Sequence, residues 1–217
     1  MSAALELKDL TIEFGGLKAV SAVSFSVPAK SIFGLIGPNG AGKTSVFNMI
    51  TGLYKPSSGS VRTFGRQIDG MKVFHITRMG VARTFQNLRL FKELSVLDNL
   101  LVAMDHNPKY QKISFLSSLL QSKSFLDNEQ QKREKCTEIL SFFKLDQRSL
   151  ELAKNLPYGD QKRLEIARAL ATDAKLILLD EPAAGLNPHE SHSLMENIRF
   201  IRDRFHTAVL LIEHDMK

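Results

Sequence analysis

Along the first third of the chain apolar positions alternate with polar ones: Leu5, Leu7, then Leu10, Ile12 and Phe14, and later Val23, Phe25 and Val27. A period of two marks half-buried strands. Together with residues 60–64, and with turn signals at Gly15-Gly16, Pro56-Ser57-Ser58-Gly59 and Gly65, the pattern over 5–30 predicts an antiparallel sheet at the edge of the fold. Residues 31–36 read as a buried strand and 45–51 as a helix. From about residue 88 to 155 the period lengthens to that of helices, as in Cys136, Ile139, Leu140 and Phe143, and strand signals thin out. Residues 105–112, with Pro108, read as a loop inside this stretch. After Leu156 the texture reverts: a helix over 161–171, an apolar strand over 176–179, a helix over 188–205 and a strand over 208–212. Strands that alternate with helices predict a mostly parallel sheet. The expected organisation is one α/β domain: 1–86 and 156–217 form the core with its antiparallel subdomain, and 87–155 is a helical insertion. There is no internal repeat and no low-complexity linker.

Composition adds bounds. The chain has 217 residues, enough for one substantial core, and its 43% apolar and 24% charged content is ordinary for an α/β protein. No run approaches the roughly 20 apolar residues that cross a bilayer, and the first residues show no basic segment followed by an apolar one. One cysteine, Cys136, excludes an intramolecular disulfide, suits a reducing cytosol and reads as an apolar core residue. The net charge of +6 comes from scattered basic residues. The densest group, Lys132-Arg133-Glu134-Lys135, is interleaved with acid and reads as a solvated helix face. Nothing here points to nucleic acid.

Residues 37–44, Gly-Pro-Asn-Gly-Ala-Gly-Lys-Thr, match G-x-x-x-x-G-K-[ST] between a predicted strand and a predicted helix. Glycines let the backbone wrap phosphate oxygens with its N–H groups, and a lysine supplies a mobile positive charge. The threonine hydroxyl can reach Mg²⁺, and the helix N-terminus adds partial positive charge. This predicts a nucleoside-triphosphate site formed by Gly37, Pro38, Asn39, Gly40, Ala41, Gly42, Lys43, Thr44 and Ser45. Downstream, the apolar run 176–179 ends in Asp180-Glu181. An acid at a neighbouring strand end can help hold Mg²⁺, and a second can orient or deprotonate water.

The constellation resembles the ATP-binding cassette (ABC) ATPases over almost the whole chain, in particular the subfamily that drives branched-chain amino acid uptake. Phe14-Gly15-Gly16-Leu17, residues 37–44, Arg83-Thr84-Phe85-Gln86-Asn87, Leu156-Pro157-Tyr158-Gly159, residues 164–170, residues 180–188 and Ile212-Glu213-His214-Asp215 carry the resemblance. It implies ATP and Mg²⁺ as cofactors, and adenine stacking on Phe14 with Val20 nearby. It also implies Mg²⁺ held by Thr44, Gln86 and Asp180, with Glu181 as catalytic base. His214 would contact the γ-phosphate, and Gln86 would approach the ion or the water. Leu156, Pro157, Tyr158, Gly159 and Asp160 would be the signature that reaches a partner's ATP across a homo- or heterodimer. Further implied are transmembrane permease subunits, indirectly a solute-binding protein, and a peripheral place on the cytoplasmic face of the cell membrane. Asp160 departs from the usual amide, and two readings stay open: it caps its helix, or it repels the γ-phosphate. The sequence stops three residues after His214, where relatives continue. The alternatives are a soluble, non-transport ABC ATPase, or a shortened, poorly active cassette.

Overall fold

The computed structural model describes residues 3–105 and 123–213. The chain divides into two compact units, Met1–Gln86 with Ala174–Lys217, and Asn87–Asp173.

In the first unit β1 (Ala3–Phe14) and β2 (Leu17–Pro28) form a long hairpin. With β4 (Ser58–Thr63) and β5 (Arg66–Gln67) they make an antiparallel sheet of order β2-β1-β4-β5. The step from Leu7 to Leu10 breaks the strict alternation of apolar residues, and the structure shows why. Asp9 adopts φ 48, and the register of β1 shifts against both neighbours at this point. A bulge of this kind adds one residue, so Leu5, Leu7, Leu10 and Ile12 all stay on the buried side. Ser24 holds the bulge, accepting from the Asp9 N–H at 2.8 Å and donating to Asp9 Oδ1 at 3.1 Å.

The second sheet of this unit is wholly parallel: β3 (Ile32–Ile36), β6 (Val81–Arg83), β7 (Leu176–Asp180) and β8 (Ala208–Glu213), in the order β3-β8-β7-β6. Every residue of β7 is buried, and so are residues 208–212 of β8. That pattern requires cover on both faces. On one face Leu176, Leu178, Ala208, Leu210 and Ile212 join a core that continues through α1 (Lys43–Ile50) into the antiparallel sheet, with Val46, Phe47, Met49 and Ile50 between the two sheets. The alternate residues, Ile177, Leu179, Val209 and Leu211, point the other way. The helix that leads into β8 spans Pro188–Phe205 and buries Leu194, Ile198 and Ile201. Its start is fixed by a capping box, Asn187 with Glu190, and by Pro188 in the first turn. A short helix, α2 (Val73–Arg78), precedes β6. Neither α2 nor β6 emerged from periodicity, since three and six residues are too short to display one.

The second unit is helical: α3 (Val96–Met104), α4 (Lys123–Phe142) and α5 (Tyr158–Ala171), which pack on one another. With these labels the Pro188–Phe205 helix is α6. Ser95 caps α3 by accepting from the Asp98 N–H at 3.0 Å. The unit ends at Asp173, not near residue 155 as the sequence predicts: residues 156–173 belong with the helices. Helical period identified α5 as a helix, but its buried face matches α3 and α4, and period alone carries no information about partners. The basic cluster in α4 also needs correction. Lys132 is buried and paired with Asp105 and Glu129, so its side chain lies against the unit's interior and not on a solvated face. Residues 106–112 of the predicted loop lie outside the described residues.

Candidate functional site

β3 runs into the glycine-rich loop and the loop into α1, so the loop sits at the carboxyl end of the parallel sheet. Asp180 pairs in register with Ile212, and Ile36 with Glu213, which brings the ends of β3, β7 and β8 to the same edge. This is the edge where open α/β sheets place their ligands. Gly42 is the N-cap of α1, at φ 82 with no side-chain cap. A Cβ there would lie 2.4 Å from the carbonyl oxygen of Ala19 and 2.9 Å from a Val20 methyl, so only glycine lets the loop pack on β2. Lys43 is buried, and its ammonium turns back over the loop to donate to Gly37 O at 2.5 Å and Pro38 O at 2.8 Å.

Residues 39–45, Ala19 and Glu181 line a cavity of about 220 Å³. Glu181 follows β7 at φ 49, a left-handed conformation that costs a non-glycine residue roughly 1–3 kcal/mol and is typical of sites that aim a side chain. Its N–H donates to Ile212 O at 3.2 Å, which anchors the turn to β8. From the end of β6, Gln86 donates through Nε2 to Glu181 Oε2 at 3.1 Å. Asp180, immediately before Glu181, is buried and accepts through Oδ2 from Arg83 Nη2 at 2.9 Å. Arg83 also donates from Nη1 to Asn48 Oδ1 at 2.6 Å and lies over the rings of Phe47 and Phe85.

The structure thus brings together the phosphate loop, Glu181, Gln86 and Asp180 in one unit. Thr44 and Ser45 line the cavity, with Thr44 exposed, while Gly37 and Pro38 contribute carbonyls to Lys43. Val20 is in the core under the loop, and the β2 residue in the cavity wall is Ala19. Phe14 lies outside that cavity, half exposed at the hairpin end, with its ring edge-to-face to Tyr54 at 5.3 Å. His214 lies outside the described residues. The signature stretch belongs to the helical unit. Leu156 is buried, Pro157 is the N-cap of α5, and Tyr158 and Gly159 open its first turn. The capping reading of Asp160 does not hold. No side chain caps α5, and the carboxylate is taken laterally by Arg148 Nη1 at 2.7 Å and by Arg163. Arg148 also donates from Nε to Glu151 Oε1 at 3.0 Å, so Asp160 sits in a paired group of two guanidiniums and two carboxylates.

Sequence reasoning missed Ala19, Asn48 and the role of Arg83. Ala19 and Asn48 have no motif character. Arg83 stands in a quoted motif, but only the fold shows which acid it meets.

Chemically, the loop offers a glycine-walled hollow with a cation at its base, suited to a polyphosphate. Oxygen donors on Thr44 and Asp180 are of the hard type that Mg²⁺ takes. A model of the ABC transporter family matches residues 20–184. The chain is 45% identical over 213 residues to the high-affinity branched-chain amino acid transport ATP-binding protein BraF of Pseudomonas aeruginosa, covering 98% of this chain and 82% of that one. The identity and coverage are the same for LivG of Escherichia coli, and a probable LivG of Methanocaldococcus jannaschii is 36% identical over 97% of this chain and 79% of its own. Among solved structures, an ATP-binding cassette of an ABC transporter in its ADP conformation matches all of this chain and 83% of its own, with TM-score 0.83 and 34% identity. A nucleotide-free cassette matches 99% of this chain and 82% of its own, at TM-score 0.81 and 34% identity. By family match, sequence identity and fold, this chain belongs to the ABC transporter family as an ATP-binding cassette.

Proposed function

We propose that the chain is the ATP-hydrolysing subunit of an importer for branched-chain or related amino acids, placed on the cytoplasmic face of the cell membrane. The observation that carries the reading is the cavity shared by the phosphate loop and Glu181, in a chain 45% identical to branched-chain transport ATP-binding proteins.

Lys43 gives up the loop carbonyls for phosphate oxygens as the triphosphate enters, and the loop takes the remaining charge. Phe14 stacks on the adenine, with Val20 packed beneath the loop. Thr44, Gln86 and Asp180 hold Mg²⁺, which when bound neutralises phosphate charge. Glu181 accepts a proton from the attacking water through a carboxylate already oriented by Gln86. His214 fixes the γ-phosphate and that water. Positioning and charge neutralisation carry the reaction, without a covalent intermediate. Residues 156–160 reach the ATP of a second ATPase subunit, in a homo- or heterodimer. Closure of that dimer drives permease subunits fed by a solute-binding protein.

ATP binding and turnover of the wild type, Lys43→Ala and Glu181→Gln test this. Lys43→Ala loses nucleotide binding. Glu181→Gln keeps binding, loses at least about 100-fold in turnover and accumulates as a dimer. Wild-type turnover in Glu181→Gln would sink the base assignment. Recovery of the protein with ribosomes, and not with membranes, would overturn the importer reading.

A further inference from the structure

We propose that Arg83 is a positioning residue of the nucleotide site: its guanidinium sets the distance between the acid that ends β7 and the helix that begins at Lys43-Thr44. The proposal rests on the reading above and adds a residue to it.

Arg83 and Asp180 have side chains only 6% and 4% exposed. A carboxylate that far from water is costly unless a cation and hydrogen bonds compensate it. Arg83 does this from one side of the acid, through Oδ2 alone. Its other terminal nitrogen, Nη1, goes to α1, at 2.6 Å from Asn48 Oδ1 and 3.4 Å from Thr51 Oγ1. Asn48 lies four residues beyond Thr44 on the same helix, one turn on. The guanidinium is held in plane by Phe47 at 5.4 Å and Phe85 at 5.0 Å from the ring centroids. One rigid fork therefore spans the end of β6, the end of β7 and α1. Thr44 and Asp180, proposed to hold the same ion, sit on two of those three elements. A lysine would keep the charge, but a single ammonium on a flexible stem cannot replace the two-pronged span.

Affinity for a fluorescent ADP analogue, measured in EDTA and in saturating Mg²⁺, isolates this role from general stability. In EDTA, Arg83→Met binds within about twofold of wild type, while the tightening on adding Mg²⁺ falls about tenfold, as for groups that orient metal ligands elsewhere. Arg83→Lys recovers only part of the tightening. Asn48→Ala, which keeps the charge but frees the far prong, lowers it by about threefold on the same grounds. An Mg²⁺-dependent tightening equal to wild type in Arg83→Met would make Arg83 a packing residue and overturn the proposal. So would a larger one, because Arg83 would then compete with the ion. If Arg83→Met does not fold, Arg83→Lys and Asn48→Ala decide by the same comparison. A wild type that binds no ADP in either condition would instead overturn the nucleotide reading itself, a result plainly different from unequal tightening among variants.

Discussion

Gly42 shows how much a single position can carry. Its positive φ and the Ala19 carbonyl, 2.4 Å from where a Cβ would stand, oppose any side chain for independent reasons. Gly42→Ala is expected to lose about 1–3 kcal/mol in urea denaturation and to weaken nucleotide binding, because the loop must leave β2 to relieve the contact. The motif names Gly42 from sequence alone. It does not reveal the reason, since Ala19 approaches only after β1 and β2 have paired. Arg83 and Asp180 follow the same logic: each was legible as part of a motif, but their 2.9 Å contact joins residues brought together only when β6 pairs with β7.

At the level of elements, long and strongly patterned segments were legible. The predicted 188–205 helix has the observed bounds, and its capping box lies in plain sequence. The offset between Leu7 and Leu10 was visible as a broken alternation, but reading it as a bulge needs the neighbouring strands. The start of α5 was the least legible, because Asp160 looks like a capping residue until Arg148 arrives from the 3-10 turn Asp146–Arg148. Asp160→Asn leaves Arg148 and Arg163 without their shared anion. It is expected to lower the thermal midpoint by about 2–6 °C. The loss should shrink in an Arg163→Met background, where one of the two contacts is already gone; an undiminished loss would show that Asp160 does not act through this pair.

At the scale of the whole molecule the chain passes twice between its two units, after Gln86 and after Asp173, and each unit has a core of its own. Cys136 offers a probe of the helical one. It is fully buried, with Sγ 3.1 Å from Met104 Sδ. Burial pushes its thiol up to about 12. A thiol that titrates so high stays protonated at neutral and mildly alkaline pH. The folded protein is therefore expected to resist thiol reagents at pH 8, reacting only as fast as α3 and α4 separate. Prompt labelling under native conditions would contradict this packing.

The central place of β8 bears on how the protein is made. Its neighbours β3 and β7 are both synthesised before it, yet the two never pair with each other; β7 already has β6 on its far side, and β3 joins the sheet only through this intervening strand. Until residue 208 has left the ribosome, β3 presents two bare edges and β7 one, all of them apolar and ready to pair with any extended segment nearby. Completion of this sheet is thus a late, long-range event in the life of the nascent chain, and the interval before it is when a holding chaperone has most to protect.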